Sequence, residues 1–191
     1  MRPLLLALAL SLPLTSCVDF GTGTADVAYS FGLTGLTPGT TYYYCAIVYN
    51  GYGTTFGAVL SFTTQATLPT VNTTAATAIT TTTATLNGSG NPNGAATTGW
   101  FRYATASPGA CNDSFGTRAP GAGGSSLGAG TSTVAFSQGI TGLTPGTTYY
   151  YCAIDSNAVG TSLGSVLTFT TTAPPTVNTL AATPVTSTTA T

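Results

Sequence analysis

The feature that most limits the fold of this 191-residue chain is a fifteen-residue phrase that occurs twice, 107 residues apart. The first copy, LTGLTPGTTYYYCAI, begins at Leu33, and the second, which differs only in its first residue, begins at Ile140. A shorter phrase, PTVNT, begins at Pro69 and again at Pro175. Such a period is that of a whole small domain rather than of a solenoid turn. The sequence therefore predicts the later part of a repeat at 18–66 (the front repeat), a complete repeat at 67–172, and the start of a truncated third repeat at 173–191 (the tail).

Composition and alternation favour strands throughout the repeats. Charged residues make up only 4% of the chain and hydrophobic residues 42%, which is not the profile of a disordered protein. Thr, Val, Tyr and Phe are typical of strands, and the many Gly, Pro and Asn residues mark turns. The segment TGWFRYAT alternates, with Phe101 and Tyr103 on one face and Trp100 and Arg102 on the other. About seven such strands fit into the complete repeat, which predicts an all-β, immunoglobulin-like sandwich.

The charge balance excludes several classes of function. The chain has three Arg and no Lys, whereas nucleic-acid binding and polybasic membrane attachment both depend on clustered positive charge. It has no His, so a serine triad lacks its usual base and metals lack their commonest nitrogen ligand. The glycine-rich stretch Gly121–Gly130 lacks the Gly-Lys-Ser/Thr ending of a phosphate-binding loop and is predicted to be a flexible loop. We therefore expect no catalysis, no metal site and no cofactor.

The first seventeen residues have the plan of a secretory signal. A single Arg precedes an apolar run that is too short to span a bilayer as a helix, and small residues follow it. The residues Leu14–Cys17, LTSC, resemble the lipobox of bacterial lipoproteins, which implies lipidation of Cys17. An ordinary secretory signal and a misassigned start are the alternatives. Either kind of signal predicts an extracytoplasmic protein, secreted or lipid-anchored at a bacterial cell envelope, whose only link to a membrane is the anchor.

The corner that precedes YYYC resembles the fibronectin type III family. In that family the turn into the sixth strand reads Leu-x-Pro-x-x-x-Tyr. The match is Leu143, Pro145 and Tyr149 in the complete repeat, and Leu36, Pro38 and Tyr42 in the front repeat. An immunoglobulin variable domain has a similar Tyr-x-Cys, but it needs a partner cysteine on its second strand, and TTTATLNGSG contains none. The resemblance, to repeats of the bacterial surface or secreted type, implies that the corner tyrosine packs inward and that its hydroxyl bonds the backbone across the corner.

The resemblance also suggests a role for the cysteines. In this family the third and sixth strands are neighbours, which would bring Cys111, after the third strand, close to Cys152 on the outer face of the sixth. A Cys111–Cys152 disulfide is therefore expected, with two unpaired thiols as the alternative. In the front repeat CVDFGTGT resembles CNDSFGT, so Cys17 is a candidate partner for Cys45, a role that lipidation of Cys17 would preclude.

One surface is a candidate for binding. Trp100, Arg102, Tyr150 and Ile154 are expected on the outer face of one sheet, where an aromatic and Arg patch could contact a cell-surface protein or a carbohydrate. The alternative is that these side chains cover their neighbours or pack under the middle loop.

The sequence thus indicates a non-catalytic structural or adhesive protein that acts as a surface spacer or weak binding module. An accessory segment of a larger secreted enzyme, such as a polysaccharide hydrolase, and a truncated gene product are the alternatives. We expect a mostly monomeric chain, with head-to-tail association through the incomplete repeats as the other outcome.

Overall fold

The structure is a computed structural model that describes residues 4–6, 25, 27–181, 183 and 185–188. Within these ranges the chain forms thirteen strands and no helix, which confirms the all-β prediction. The strands are β1 (Leu4–Leu6), β2 (Thr41–Asn50), β3 (Gly53–Phe56), β4 (Leu60–Thr63), β5 (Thr70–Thr77), β6 (Thr83–Asn91), β7 (Thr97–Ala104), β8 (Thr117–Ala119), β9 (Ser125–Gly128), β10 (Val134–Thr141), β11 (Thr148–Ser156), β12 (Thr161–Leu163) and β13 (Leu167–Thr170).

The complete repeat is a sandwich of two antiparallel sheets. One sheet has the order β10-β6-β5. The other has β11 at its centre, paired with β7 on one edge and with β12 and β13 on the other, while β8 and β9 both pair with β7. Alternate residues of each strand face the space between the sheets, where Leu86, Phe101, Tyr151 and Ala153 are fully buried. The alternation therefore assigned the inward faces of β7 and β11 correctly.

The middle of the complete repeat is more ordered than the sequence predicted. Residues Ser125–Gly128, inside the glycine-rich stretch expected to be a flexible loop, form β9 and pair with β7. Leu127 is only 5% exposed and belongs to the main core, so the loop prediction is wrong here. The last strand is divided into β12 and β13. The repeat consequently has nine strand segments among its described residues, not about seven.

The front repeat reproduces one of these two sheets. Its strands β2, β3 and β4 pair as β11, β12 and β13 do. Strand β1 lies in the predicted signal segment, before the front repeat, and pairs with β2 so that Leu5 lies opposite Ala46, which is the position that Phe101 holds opposite Ala153 in the complete repeat. Cleavage of the signal before Cys17 would remove this strand from the mature protein. Within the described residues of the front repeat, no strand corresponds to β5, β6 or β10. Among the described residues, no second sheet therefore packs on the inner face of β2.

The two repeats meet at a joint where the corner of the front repeat contacts the turn that holds the first residues of the complete repeat. The Thr67 N–H donates to the Asn93 carbonyl at 3.2 Å, and the Asn93 side-chain amide donates to the Leu68 carbonyl at 2.7 Å. Beside them, Gly39 in the corner of the front repeat touches Gly94 in the Asn-Pro-Asn-Gly turn of the complete repeat. A Cβ atom built on Gly39 would lie 2.4 Å from the Gly94 Cα, so the approach requires glycine.

Candidate functional site

The predicted binding face lies under a covering segment. Residues 105–116 leave the end of β7 and fold back over the outer face of β7 and β11. Beneath them, Trp100 is 8% exposed, and Cys152 and Ile154 are fully buried. These three side chains form a second small core together with the partly buried Cys111, Phe115 and Val166.

A disulfide fastens this segment to the sheet. Cys111 and Cys152, the two residues that the sequence analysis paired, are joined, with their Cα atoms 6.0 Å apart and a separation of 41 positions in sequence. The bond links the segment to the central strand of the larger sheet rather than to an edge. The outer face of β11 is therefore covered by a covalently attached segment.

A polar rim seals the edge of the second core. The Asp113 carboxylate accepts hydrogen bonds from the Trp100 indole N–H at 2.8 Å and from the Arg102 Nε at 2.9 Å. The Arg118 guanidinium lies 4.7 Å from the centre of the Trp100 ring, at cation–π distance. Partial burial raises the pKa of Asp113, but the two hydrogen bonds and the attraction of both guanidinium groups outweigh it, so its pKa lies below the usual value.

This arrangement agrees with the alternative given above, in which the four side chains pack under the middle loop instead of forming an exposed binding patch. Trp100 and Ile154 are buried, Arg102 is committed to an ion pair with Asp113, and Tyr150 is half-buried. The alternation placed all four side chains on the correct outer face. Alternation along a strand says nothing about which loop covers a face, so it could not distinguish this second core from a binding surface.

Both predicted corners have the geometry that the resemblance implied. The Tyr149 hydroxyl accepts a hydrogen bond from the Thr144 N–H at 2.9 Å, and the Tyr42 hydroxyl accepts one from the Thr37 N–H, also at 2.9 Å. Leu143 is 5% exposed, whereas its counterpart Leu36 is only half-buried, because the front repeat lacks the second sheet. The corner prolines Pro145 and Pro38 are exposed and half-buried, respectively.

Asp155 is an unusual buried residue, and its burial was not predicted from the sequence. Its side chain points between the sheets from β11, is 0% exposed, and neither carboxylate oxygen has a hydrogen-bond partner in the described structure. Space for it comes from two glycines: a Cβ on Gly90 would lie 1.7 Å from one oxygen, and a Cβ on Gly99 would lie 2.8 Å from the other. Burial raises the pKa of Asp155 from 3.8 to about 7. The sequence contained a signal for this burial, because Asp155 lies on the same face of β11 as Tyr149, Tyr151 and Ala153, which the alternation assigned to the core.

The remaining candidates yield no centre for chemistry. Cys17, the predicted lipidation site, lies outside the described residues. Cys45 is half-buried and unpaired in the described structure. The described ranges contain no group of three or more acidic, Cys or His side chains that could hold a metal. No helix of these ranges is long and apolar enough to cross a membrane.

Comparison with known proteins gives structural similarities only. No family model and no curated protein sequence matches the chain. The sensor domain of the anti-sigma factor RsgI4 of Pseudobacteroides cellulosolvens is 24% identical over 58% of this chain and 95% of its own, with a TM-score of 0.37. Domains d3–d4 of the extracellular region of rat CD45 are 16% identical over 85% of this chain and 81% of their own, with a TM-score of 0.39. Domains FN1–FN3 of chicken CNTN1 are 14% identical over 75% of this chain and 46% of their own, with a TM-score of 0.37.

Proposed function

We propose that this chain is a non-catalytic extracytoplasmic spacer built of fibronectin type III-like repeats held at a fixed relative orientation. The disulfide between Cys111 and Cys152 supports a location outside the cytoplasm, because such bonds persist in oxidising compartments. The covering of the outer face supports a structural role, because the largest aromatic side chain of that face serves packing rather than contact with a ligand.

The observation that carries the proposal is the joint between the repeats. A flexible tether has few hydrogen bonds to its neighbours, but here both sides of the boundary are held: the Gly39 N–H of the front repeat donates to the Gln65 carbonyl at 3.3 Å, and Asn93 binds Thr67 and Leu68 at the start of the complete repeat. The Asn157 side-chain amide donates two further hydrogen bonds, to the Thr67 carbonyl at 2.9 Å and to the Pro92 carbonyl at 3.1 Å. Asn157 itself is fixed, because its side-chain oxygen accepts from two backbone N–H groups of its own loop. The first residues of the complete repeat are therefore held between two of its own turns, and Gly39 of the front repeat contacts one of these turns at Gly94.

The contact between Gly39 and Gly94 provides a direct test. Spin labels on Tyr52→Cys and Ser137→Cys, in a background that carries Cys17→Ser and Cys45→Ser, report the distance between the repeats by pulsed electron–electron double resonance. Both labelled positions are exposed. We expect a narrow distance distribution for this parent and a broad or shifted one for Gly39→Ala.

Gly146→Ala is the matched control for this test. Gly146 has a φ of 62°, close to the 60° of Gly39, so both changes carry a similar backbone strain. A Cβ on Gly146 would meet only Ala173, at 3.3 Å, and would leave the joint untouched. A broad distribution in the parent, or equal effects of the two variants, would overturn the proposal of a fixed joint.

Anchoring of this spacer through Cys17 belongs to the same proposal. It is supported by the lipobox-like LTSC at Leu14–Cys17. Mass spectrometry of the mature amino-terminal peptide from membranes tests it: a diacylglyceryl-modified Cys17 is the expected result, and an unmodified cysteine overturns the anchor without affecting the joint.

A further inference from the structure

The front repeat presents an open apolar groove on the inner face of β2. The groove has a volume of about 620 Å³ and is lined by residues that include Leu33, Leu36, Tyr44, Ala46 and Phe62. The residues 107 positions later, Ile140, Leu143, Tyr151, Ala153 and Phe169, are all buried in the main core of the complete repeat. The groove is therefore the half of a sandwich core that the second sheet would cover.

In the complete repeat, the strand that covers this position from the second sheet is β5. Val71 packs against the main core, and the Thr73 hydroxyl accepts a hydrogen bond from the Ala153 N–H at 3.0 Å. The Tyr151 hydroxyl donates to the Thr74 carbonyl at 2.6 Å. Strand β5 thus covers the inner side of the larger sheet with the Val71 side chain and binds β11 through the Thr73 hydroxyl and the Thr74 carbonyl.

The tail carries a second copy of the β5 sequence. Residues 175–191 are identical to residues 69–85 at 13 of 17 positions. The described part of the tail is not a strand of either sheet, and Val177 and Leu180 are 94% and 80% exposed. Pro184 replaces Ala78, whose φ of 48° proline cannot adopt, so the segment able to repeat the conformation of β5 ends at Thr183.

From these observations we infer that Thr176–Thr183 of one copy docks in the front groove of a second copy, in the position that β5 holds in the complete repeat. Val177 takes the place of Val71, the Thr179 hydroxyl meets the Ala46 N–H, and the Leu180 carbonyl accepts from the Tyr44 hydroxyl. The described residues that line the groove are all uncharged, and the tail sequence contains no charged side chain, so docking the tail against this lining buries no charged side chain. This inference rests on the proposed spacer and extends it to end-to-end assembly.

The tail of the same chain is too short to reach the groove. Thr172 donates its N–H to the Thr80 carbonyl at the end of the sandwich where β6 begins, whereas the joint at Asn93 lies beyond the other end of β6. A strand of nine residues spans roughly 27 Å, whereas the four residues from Thr172 to Thr176 span at most about 14 Å. Docking therefore takes place between copies. Because it joins two different surfaces, it builds open chains rather than closed dimers.

Two pairs of matched variants of the full chain test the inference by size-exclusion chromatography with light scattering across a range of concentrations. Val177→Asp places a charge on the inward side of the docked strand, and Asn178→Asp places the same charge on the side that is exposed at Asn72. For the unmodified chain and for Asn178→Asp we expect a series of oligomers that grows with concentration. For Val177→Asp we expect a dissociation constant for association that is at least tenfold higher.

The second pair changes the groove. Tyr44→Phe removes the hydroxyl that meets the docked strand, whereas Tyr43→Phe removes one from an exposed side chain on the other face, so only the former should weaken association. Trp100 fluorescence reports that the complete repeat is folded, and the far-ultraviolet circular dichroism of Tyr44→Phe, compared with that of Tyr43→Phe, reports on the strands of the front repeat. A monomer at every concentration, or a series of oligomers that Val177→Asp leaves unchanged, overturns the inference. Neither result bears on the spacer test, which measures a distance within one chain at high dilution.

Discussion

The buried carboxyl group of Asp155 should make the complete repeat less stable as the pH rises. In the unfolded chain this group titrates near 3.8, and in the folded chain near 7. Between these values the folded state holds a proton that the unfolded state has lost, so the free energy of unfolding falls with increasing pH. The stabilisation is complete below pH 4 and is lost as the pH rises through about 7.

The size of the effect follows from the pKa difference. At about 1.4 kcal/mol per pKa unit, the loss amounts to at most about 4 kcal/mol, a large fraction of the stability of a small domain. Burial is the cause of the shift, and no charged group opposes or supports it. The strands around the carboxyl group present Gly90, Gly99 and Leu127 to it, and the guanidinium of Arg102 on β7 is turned to the opposite face, where it binds Asp113.

Chemical denaturation followed by Trp100 fluorescence from pH 4 to pH 8.5 measures this slope, because Trp100 is the only tryptophan and lies in the complete repeat. Asp155→Asn keeps the shape and removes the titration, so we expect a nearly flat profile that exceeds the parent at pH 8 and matches it near pH 4. Asp113→Asn is the control: its lowered pKa contributes stability above pH 4 that is lost on acidification, so this change should leave the Asp155 slope intact. A parent that is equally stable at pH 4.5 and pH 8 would refute the reasoning.

Two further predictions concern packing. Replacing Cys111 and Cys152 by Ser should destabilise the repeat by about 4 kcal/mol and shift Trp100 emission to longer wavelength, because the segment above the indole is no longer fastened; unchanged emission would show that packing alone holds it. Tyr149→Phe should lower the free energy of unfolding by about 1–2 kcal/mol, since it removes the acceptor of the corner hydrogen bond, whereas Tyr150→Phe should change it by less than half of that; equal shifts in the denaturation midpoint would contradict the inward and outward assignment.

The sequence predicted those parts of the fold that depend on short-range patterns. Alternation in TGWFRYAT and in TTYYYCAI identified which side of β7 and β11 faces the core, because a strand has a period of two whatever its neighbours are. The corner motif located a hydrogen bond between Tyr149 and a backbone group five residues earlier, which is also a local relation.

The parts that could not be predicted depend on long-range packing. The burial of Trp100 and Ile154 is decided by a loop that returns from residue 111, and strand periodicity contains no information about that path. Leu127 stands among glycines, so the local signal favoured a loop, but pairing with β7 brings its side chain into the core. The pocket for Asp155 arises from Gly90 and Gly99 on two other strands, and only their spatial proximity reveals why a carboxyl group fits there.

The position of the disulfide also sets how the complete repeat responds to mechanical tension. A pulling force enters through the ends of the repeat, and an unfolded repeat lengthens by about 3.3–3.6 Å for each residue released. The chain from Cys111 to Cys152, a separation of 41 positions, forms a closed loop that force cannot straighten while the bond is intact. Roughly 140 Å of contour length is therefore withheld until a reductant opens the loop, so extensibility in this molecule depends on redox conditions as well as on load.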